Sequence, residues 1–526
     1  MKSAIKIEKT SKKYKNKNLL DISWERCIIH YNGKSIYGKV NTMRQITEQS
    51  FITEEHGNNL PTVRIKKVVL DNFKSVGHGE ITFNCGREFI PCDTESDILG
   101  IYGQNGSGKT SFIEALSILK GLMAGASVPS VYADCVAVGK DFAKLEFVFD
   151  LQYENGVIRE AAYSFCMSSA ALTKEEIDEK YKGAPDEFDI PDEDSKVIIF
   201  DEKFSLLWED ASKRQVIIDT SSEENAFIPT TKRKEIAGGG KKVLVALEVN
   251  KQLAHSKSRS FIFMHDTLKL FSENDDKSVF FRVLVELRLY ARHYLYVIDT
   301  KSSGFIRLNF ALPIYTTDGQ MMFNAKRPEV IPTEMVEDLR ADLNNISSVL
   351  GQLVPGLAIG FKKISQTLDK DGNPATVMML TAYRDGKELP LRDESDGVRK
   401  IISVLSLIIA AFNQKSVTVA IDEFDAGIFE YLLGEILQAL EESGKGQFIF
   451  TSHNLRPLEV IDKKFLYFTT TNPDNRYIRL KNISATNNLR DTYFREIILC
   501  EQEEEIYNKT KRFKIIAALK KAGGER

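Results

Sequence analysis

Gly103-Gln104-Asn105-Gly106-Ser107-Gly108-Lys109-Thr110 decides the reading of this 526-residue chain. The octet fits the pattern G-x-x-x-x-G-K-[ST]. It stands between an apolar run, Ser96 to Tyr102, and a segment in which Ser111, Phe112, Ala115, Leu116 and Leu119 recur at helical spacing. Strand, glycine-rich turn and helix start are the order a phosphate site needs. Glycines let backbone N–H groups curl around an anion at a helix N-terminus, Lys109 supplies a point charge for β and γ phosphates, and Thr110 offers its hydroxyl to Mg2+. Gly103, Asn105, Gly106, Ser107, Gly108, Lys109, Thr110 and Ser111 are the expected nucleotide-binding residues, with ATP and Mg2+ as the ligands.

Further along, Val417-Thr418-Val419-Ala420-Ile421-Asp422-Glu423 reads as a buried strand ending in two carboxylates. Open α/β sheets gather ligands at the carboxyl ends of their strands. Asp422 is therefore expected in the Mg2+ shell beside Thr110, and Glu423 is placed to polarise the attacking water. An apolar strand followed by two acids is common by itself; the glycine loop gives this one its meaning. Gly446-Gln447-Phe448-Ile449-Phe450-Thr451-Ser452-His453-Asn454 is a second buried strand, and His453 follows Glu423 by 30 residues with a helical run, Ile428 to Glu442, between them. That spacing suits one right-handed β-α-β crossover. It brings His453 to the same sheet edge, within reach of the γ-phosphate or the attacking water. Leu391-Arg392-Asp393-Glu394-Ser395-Asp396-Gly397-Val398-Arg399-Lys400 precedes an apolar helix to Phe412. Ser395 has N-cap chemistry and Gly397 leaves N–H groups open, a second anion-binding helix start.

These four pieces, in this order, resemble the ATP-binding-cassette (ABC) ATPases, and among them the SMC-like and RecF/RecN/OLD-like branch rather than the transporters. Val69-Leu70-Asp71-Asn72-Phe73-Lys74-Ser75 is similar to the N-F-[RK]-S opening strand of that branch, whose basic residue, here Lys74, helps to hold the nucleotide. The resemblance implies an α/β fold, an ABC-type P-loop NTPase head, with Lys109, Glu423 and His453 carrying catalysis. It also implies that Ser395 and Gly397 contact the γ-phosphate of a nucleotide bound by another subunit, so that two copies close head to tail over two ATP molecules. Asp396 stands where the first signature glycine usually is, and Val398 where a glutamine or glutamate is common. Asp425 matches the place of the D-loop, which communicates between the two sites; a surface acid after a strand reads equally well. The family's metal-sensing glutamine follows a strand soon after the glycine loop, and Gln152 has that position.

Composition bounds the rest. A chain 43% hydrophobic and 28% charged, with net charge −3, has the makings of two to four packed units and is not disordered throughout. Its longest apolar run, Ile401 to Phe412, suits a core helix rather than a bilayer span, which excludes a membrane-embedded subunit. Seven lysines among the first 17 residues, without a following apolar segment or small-residue cleavage site, make the cytoplasm the expected location. The six cysteines form no C-x-x-C pair and no Cys/His cluster, and read as free thiols.

Five stretches follow: a basic arm with a hairpin pattern (1–62), the head's N-terminal lobe (63–170), an acidic crossing and large, mainly helical insert between phosphate loop and signature (171–355), the C-terminal lobe (356–485) and a helical tail (486–526). About 285 residues separate Thr110 from Ser395 without a sustained heptad repeat, which excludes a chromosome-spanning arm. Too few residues follow His453 for an OLD-type nuclease domain. What remains resembles the compact ATPase subunits of prokaryotic anti-phage systems of the Septu PtuA (including retron-associated relatives), PARIS AriA and AbiL types. Those oligomerise and scaffold or restrain a separate effector, often a nuclease. A DNA-clamping ATPase of repair or recombination is the competing reading. For it, Lys232, Arg233, Lys234, Lys241, Lys242, Lys251, Lys257 and Arg259 around Gly238-Gly239-Gly240 would supply phosphate contacts, with the Lys2 to Lys17 arm as a second candidate.

Overall fold

The computed structural model describes residues 60–83, 97–153, 158–180, 194–207, 213–275, 278–299, 311–316, 319–324, 327–369, 372–384, 386–481, 488–499 and 502–523. The 1–59 arm, the Glu154-Asn155-Gly156 turn, most of the acidic crossing, and Cys27, Cys85, Cys92 and Cys500 lie outside them. Cys135 and Cys166 are buried thiols, neither in a disulfide.

Strands β1 (Thr62–Phe73) and β2 (Val76–Thr82) form a hairpin, and β3 (Asp97–Tyr102) leads through the glycine loop into α1 (Lys109–Met123). Next come β4 (Ala143–Gln152), β5 (Ile158–Ala171), α2 (Lys174–Lys180), β6 (Ser195–Leu207) and β7 (Gln215–Asp219). Helices α3 (Thr230–Ala237), α4 (Lys241–Ser256), α5 (His265–Asp275) and α6 (Val279–His293) precede β8 (Leu295–Ile298). Then follow β9 (Ala311–Thr316), β10 (Gly319–Asn324), β11 (Glu329–Pro332), α7 (Val336–Leu353), β12 (Leu357–Leu368), β13 (Pro374–Arg384), β14 (Lys387–Pro390) and α8 (Asp396–Asn413). The chain closes with β15 (Thr418–Ile421), α9 (Glu430–Ser443), β16 (Gln447–Thr451), α10 (Pro457–Val460), β17 (Leu466–Thr469), β18 (Tyr477–Ile478), α11 (Leu489–Leu499) and α12 (Arg512–Ala522).

Two six-stranded sheets position the site. One, ordered β2-β1-β4-β5-β6-β7, is antiparallel throughout; the other, β18-β17-β3-β16-β15-β8, is parallel except for β18. A parallel sheet is covered on both faces and its strands are apolar end to end; β3, β15 and β16 are buried at every residue. Helix α1 is buried on nearly all sides, as a helix between two sheets must be. Its Phe112, Leu116 and Leu119 share one core with β1, β4, β5 and α6, while α7, α8 and α9 build a second core on the opposite face of the parallel sheet.

The stretch expected as a mainly helical insert also carries strands that join the head. β6 and β7 extend the antiparallel sheet, and β8 pairs in parallel with β15 and forms the edge of the nucleotide sheet, so part of the stretch belongs to the head itself. The four residues of β8 sit at the end of the apolar run that opens α6, where periodicity alone does not separate a short buried strand from more helix.

Candidate nucleotide-binding site

A cavity of about 400 Å3 opens at the carboxyl edge of the parallel sheet. The glycine loop and α1 line it with Asn105, Gly106, Lys109 and Thr110, the end of β15 with Asp422 and Glu423, and the end of β16 with Thr451 and His453. Pairing of β15 with β16 and of β16 with β3 brings these three strand ends side by side, in register Ile421 to Phe450 and Thr451 to Ile101.

The loop is braced from behind by the next two strands. A Cβ on Gly103 would lie 1.7 Å from Thr469 Oγ1, so only glycine fits there. Ser107 Oγ shares a 2.5 Å hydrogen bond with the same hydroxyl, and the Tyr477 hydroxyl donates to the Gly108 carbonyl at 2.7 Å. Helix α1 starts from Gly108 in left-handed conformation, with no side-chain cap and no acid in its first turn. Its first N–H groups and the positive end of its dipole are thus left for an anion. Lys109 Nζ rests on the Gly103 and Gln104 carbonyls at 2.9 and 3.1 Å, and burial holds its pKa below the usual lysine value against the pull of Asp422, Glu423 and Asp425. Ser111 is buried in the same turn.

Asp422 Oδ1 accepts from Thr110 Oγ1 at 3.3 Å and from Thr451 Oγ1 at 2.6 Å. Thr110 and Asp422 are thereby held together, and they could hold Mg2+, since both present hard oxygen atoms of the kind that ion takes. Glu423 follows with a φ of 48°, a left-handed backbone costing on the order of 1–3 kcal/mol for a non-glycine residue. Two contacts hold it there. Its N–H donates to Thr451 Oγ1 at 2.8 Å, and its carbonyl accepts from the buried Lys400 Nζ at 2.7 Å. The strained peptide is fixed at both ends, and its carboxylate lines the cavity.

Beyond β16, Asp425 Oδ2 accepts from the backbone N–H groups of His453 and Asn454 at 3.1 and 2.9 Å, so the acid after the Asp-Glu pair sets the turn that presents the histidine. The ring is exposed at its rim, yet the cleft walls desolvate it. That desolvation, with the Lys109 ammonium, holds its pKa below the ordinary imidazole value against Asp425, Glu423 and Asp422. The neutral ring can then accept as well as donate at pH 7.

The second helix start lies elsewhere. Ser395 caps α8 by accepting from Val398 N–H at 3.3 Å, and neither it nor Gly397 lines this cavity. A Cβ on Gly397 would come within 2.3 Å of the Gly427 carbonyl, so the start of α8 is packed against the segment just past Asp425.

One expected ligand is corrected. Gln152 pairs with Thr62, at the end of β1 where the Ile65 N–H reaches the side chain of Gln447, the first residue of β16. That is the amino edge of the parallel sheet. The opposite end of β1 meets the glycine loop, where a Cβ on Gly108 would touch Val76, and about 33 Å of strand separates Gln152 from it. Spacing along the chain set the expectation, and strand direction overturns it. The strand beside β15 is β8, whose carboxyl end carries Asp299, 2% exposed and accepting from Ser117 and, at 2.6 Å, Tyr132. Lys74 Nζ sits 2.6 Å from Glu114 on α1, a fully buried carboxylate that needs a cation partner.

Thr451, Lys400, Thr469 and Tyr477 were not foreseen as site residues. Thr451 was visible as the polar end of an apolar strand, but only the register with β15 reveals what it touches. The basic stretch is helical, α3 and α4 joined at the three glycines. Arg233 binds Asn225, Lys251 binds the Ser222 and Asn225 carbonyls, and Arg259 binds Ser127. Lys234, Lys241, Lys242 and Lys257 are exposed. Among the described residues no helix is long and apolar enough to cross a membrane.

A glycine loop, a hydroxyl–aspartate pair and a strand-end glutamate and histidine on adjacent parallel strands are the marks of an ABC-type P-loop ATPase. Residues 98–459 match the family model described as "AAA domain, putative AbiEii toxin, Type IV TA system", and the chain belongs to that family. No curated protein matches it. Among solved structures it is similar to an SMC head bound to the C-winged helix domain of ScpA, with 13% identity and TM-score 0.36, over 79% of this chain and 97% of that one. The SMC head domain from Thermotoga maritima gives 16% identity and TM-score 0.34 over 80% and 100%. A Pyrococcus furiosus Smc head domain with an extended coiled coil, bound to the C-terminal domain of ScpA, gives 15% and 0.31 over 80% and 96%.

Proposed function

We propose that the chain hydrolyses ATP within a head-to-tail pair of copies, and that this cycle regulates or scaffolds a separate effector, such as a nuclease, in a prokaryotic anti-phage complex. The observation that carries the reading is a division of parts. Lys109, Thr110, Asp422, Glu423 and His453 share one cavity, whereas the Ser395–Gly397 helix start lies outside it, leaving a second copy to supply that anion-binding end.

Thr110 and Asp422 would hold Mg2+, which supplies charge neutralisation at the phosphates. Lys109 and the uncapped N–H groups of α1 bind and orient the triphosphate. Glu423 orients a water and accepts its proton at the carboxylate, and neutral His453 hydrogen-bonds the γ-phosphate or that water. The family's description, "AAA domain, putative AbiEii toxin, Type IV TA system", supports a role in controlling a toxic activity.

The test is a pull-down of tagged Glu423→Gln protein from its host with ATP present, followed by mass determination of everything retained. Stoichiometric recovery of a neighbouring-gene product supports the regulatory reading; recovery of DNA or of the chain alone overturns it in favour of a clamp. The exposed Lys234, Lys241 and Lys242 favour that second reading. It requires salt-dependent binding of duplex DNA that is lost when those three are neutralised. Arg233 is left intact in that test because it is structural.

A further inference from the structure

Among the exposed apolar side chains of the described residues, two sets flank the nucleotide edge. The first belongs to α9. Phe429, just before the helix, is 73% exposed and Tyr431 is 57% exposed. They follow Asp425 and Gly427 directly, so they continue the surface on which the start of α8 is packed. The rest of this outer face carries Glu435 and Glu442, with Glu430 at its start; α9 itself contains no lysine or arginine, and the neighbouring Arg456, 5.8 Å from the Tyr431 ring centre, is paired with Glu459, as is Arg490.

The second is α12, in which every residue is exposed. Ile515, Ile516 and Leu519 share one side at i, i+3 and i+4 spacing, with Arg512 and Lys520 at its flanks, and the helix has four basic residues and no acid. An eleven-residue helix with its apolar side in water has little to hold it folded. The segment before it is tied to the site: the Thr471 N–H donates to the Glu505 carbonyl at 2.7 Å, and the Asn508 N–H donates to the Gln104 side chain of the glycine loop at 3.0 Å. Helix α12 begins four residues further on, within about 14 Å of chain.

We propose that α12 of one copy docks on Phe429, Tyr431 and the acidic face of α9 of a second copy when the two close. This rests on the head-to-tail reading given above. In that arrangement the α8 start of one copy faces the glycine loop of the other. The α9 surface travels with the former and α12 with the latter, so surfaces alike in apolar character and opposite in charge meet twice per pair. A helix laid by its apolar side against an aromatic-rimmed surface is a common recognition mode. Closure then covers α12, and opening releases it.

The test uses full-length Glu423→Gln protein with ATP, in two populations of different mass, one carrying Tyr431→Cys and the other Leu519→Cys. A short bismaleimide should give an ATP-dependent covalent heterodimer absent from the parent protein, reduced by Glu435→Lys and restored by adding Lys520→Glu. Sedimentation of the Glu423→Gln parent is read in parallel. A pair without the heterodimer overturns the docking while the head-to-tail reading stands; no ATP-dependent pair overturns both. Crosslinking only within single chains that carry both cysteines also overturns it, because α12 then covers its own α9. On the exposed helix, Ile515→Glu with Leu519→Glu should weaken the pair roughly tenfold. An unchanged pair with lost binding to phosphatidylglycerol vesicles or to duplex DNA would assign the helix to those ligands and sink the proposal.

Discussion

The parallel sheet carries a buried polar cluster at each end, and the two are built on opposite terms. At the amino end, Gln447 Oε1 accepts from the Ile65 N–H at 2.8 Å and the Thr418 hydroxyl at 3.0 Å, while Nε2 donates to the Ile65 carbonyl at 2.8 Å and Asp97 at 2.5 Å. Its four hydrogen-bonding positions are filled, and the two sheets are fastened through it. At the carboxyl end, the Glu423 carboxylate and the His453 ring make no hydrogen bond to another described residue, and both face the cavity. Satisfied polar groups hold a fold together; groups held in place with their valences open await a ligand.

Exchanging one residue at each end should separate chemistry from stability. Glu423→Gln keeps the shape and removes the base, so turnover should fall by ~10²- to 10⁴-fold with nucleotide binding and melting temperature nearly unchanged. A steady-state ATPase assay with a nucleotide titration checks this, and unaltered turnover would remove Glu423 from the mechanism. Gln447→Leu should do the reverse. It strips partners from Ile65, Thr418 and Asp97 at once, and each stranded buried group costs ~1–3 kcal/mol. A loss on the order of 3 kcal/mol in denaturant unfolding is expected, with turnover per folded molecule close to that of the parent.

Thr451 joins the two acids of the carboxyl end, bonded to Asp422 on one side and to the Glu423 N–H on the other. Thr451→Val conserves volume and loses both contacts. A hydrogen bond to a charged group is worth ~1.5–3 kcal/mol, so turnover should fall about 10- to 100-fold and the Mg2+ requirement should rise, read from a metal titration of the ATPase rate.

That residue also marks where sequence reading stops. The glycine loop, the Asp-Glu strand and the histidine strand are legible because each motif is contiguous and its neighbours fix its secondary structure. Contacts between strands are not. Thr451 needs the register of β15 on β16, Gln152 needs the direction of β4, and β8 is four apolar residues at the end of a helical run. Lys74 shows the same limit from the other side. Its place after an opening strand is legible, but its partner, Glu114, is 40 residues away.

The smallest effect concerns Lys400, whose Nζ holds the Glu423 carbonyl. Burial pushes its pKa down to about 8, against the pull of Asp425, Glu423 and Asp422, while in the unfolded chain it stays near 10.5. Between those values the unfolded chain keeps a proton that the folded one has shed, so stability rises with pH. The contribution is complete above the unfolded value and is lost as pH falls through about 8. Lys400→Met has no such ramp. The stability difference between wild type and variant should therefore move by about 1 kcal/mol in favour of wild type between about pH 8 and 9. Taking the difference cancels other groups that titrate there, notably Lys120, also held near 8 by burial. Denaturant melts of both proteins at closely spaced pH values measure it. A flat difference would mean that the ammonium does not sit in the dry space behind Glu423, and the left-handed peptide of the glutamate would then depend on Thr451 alone.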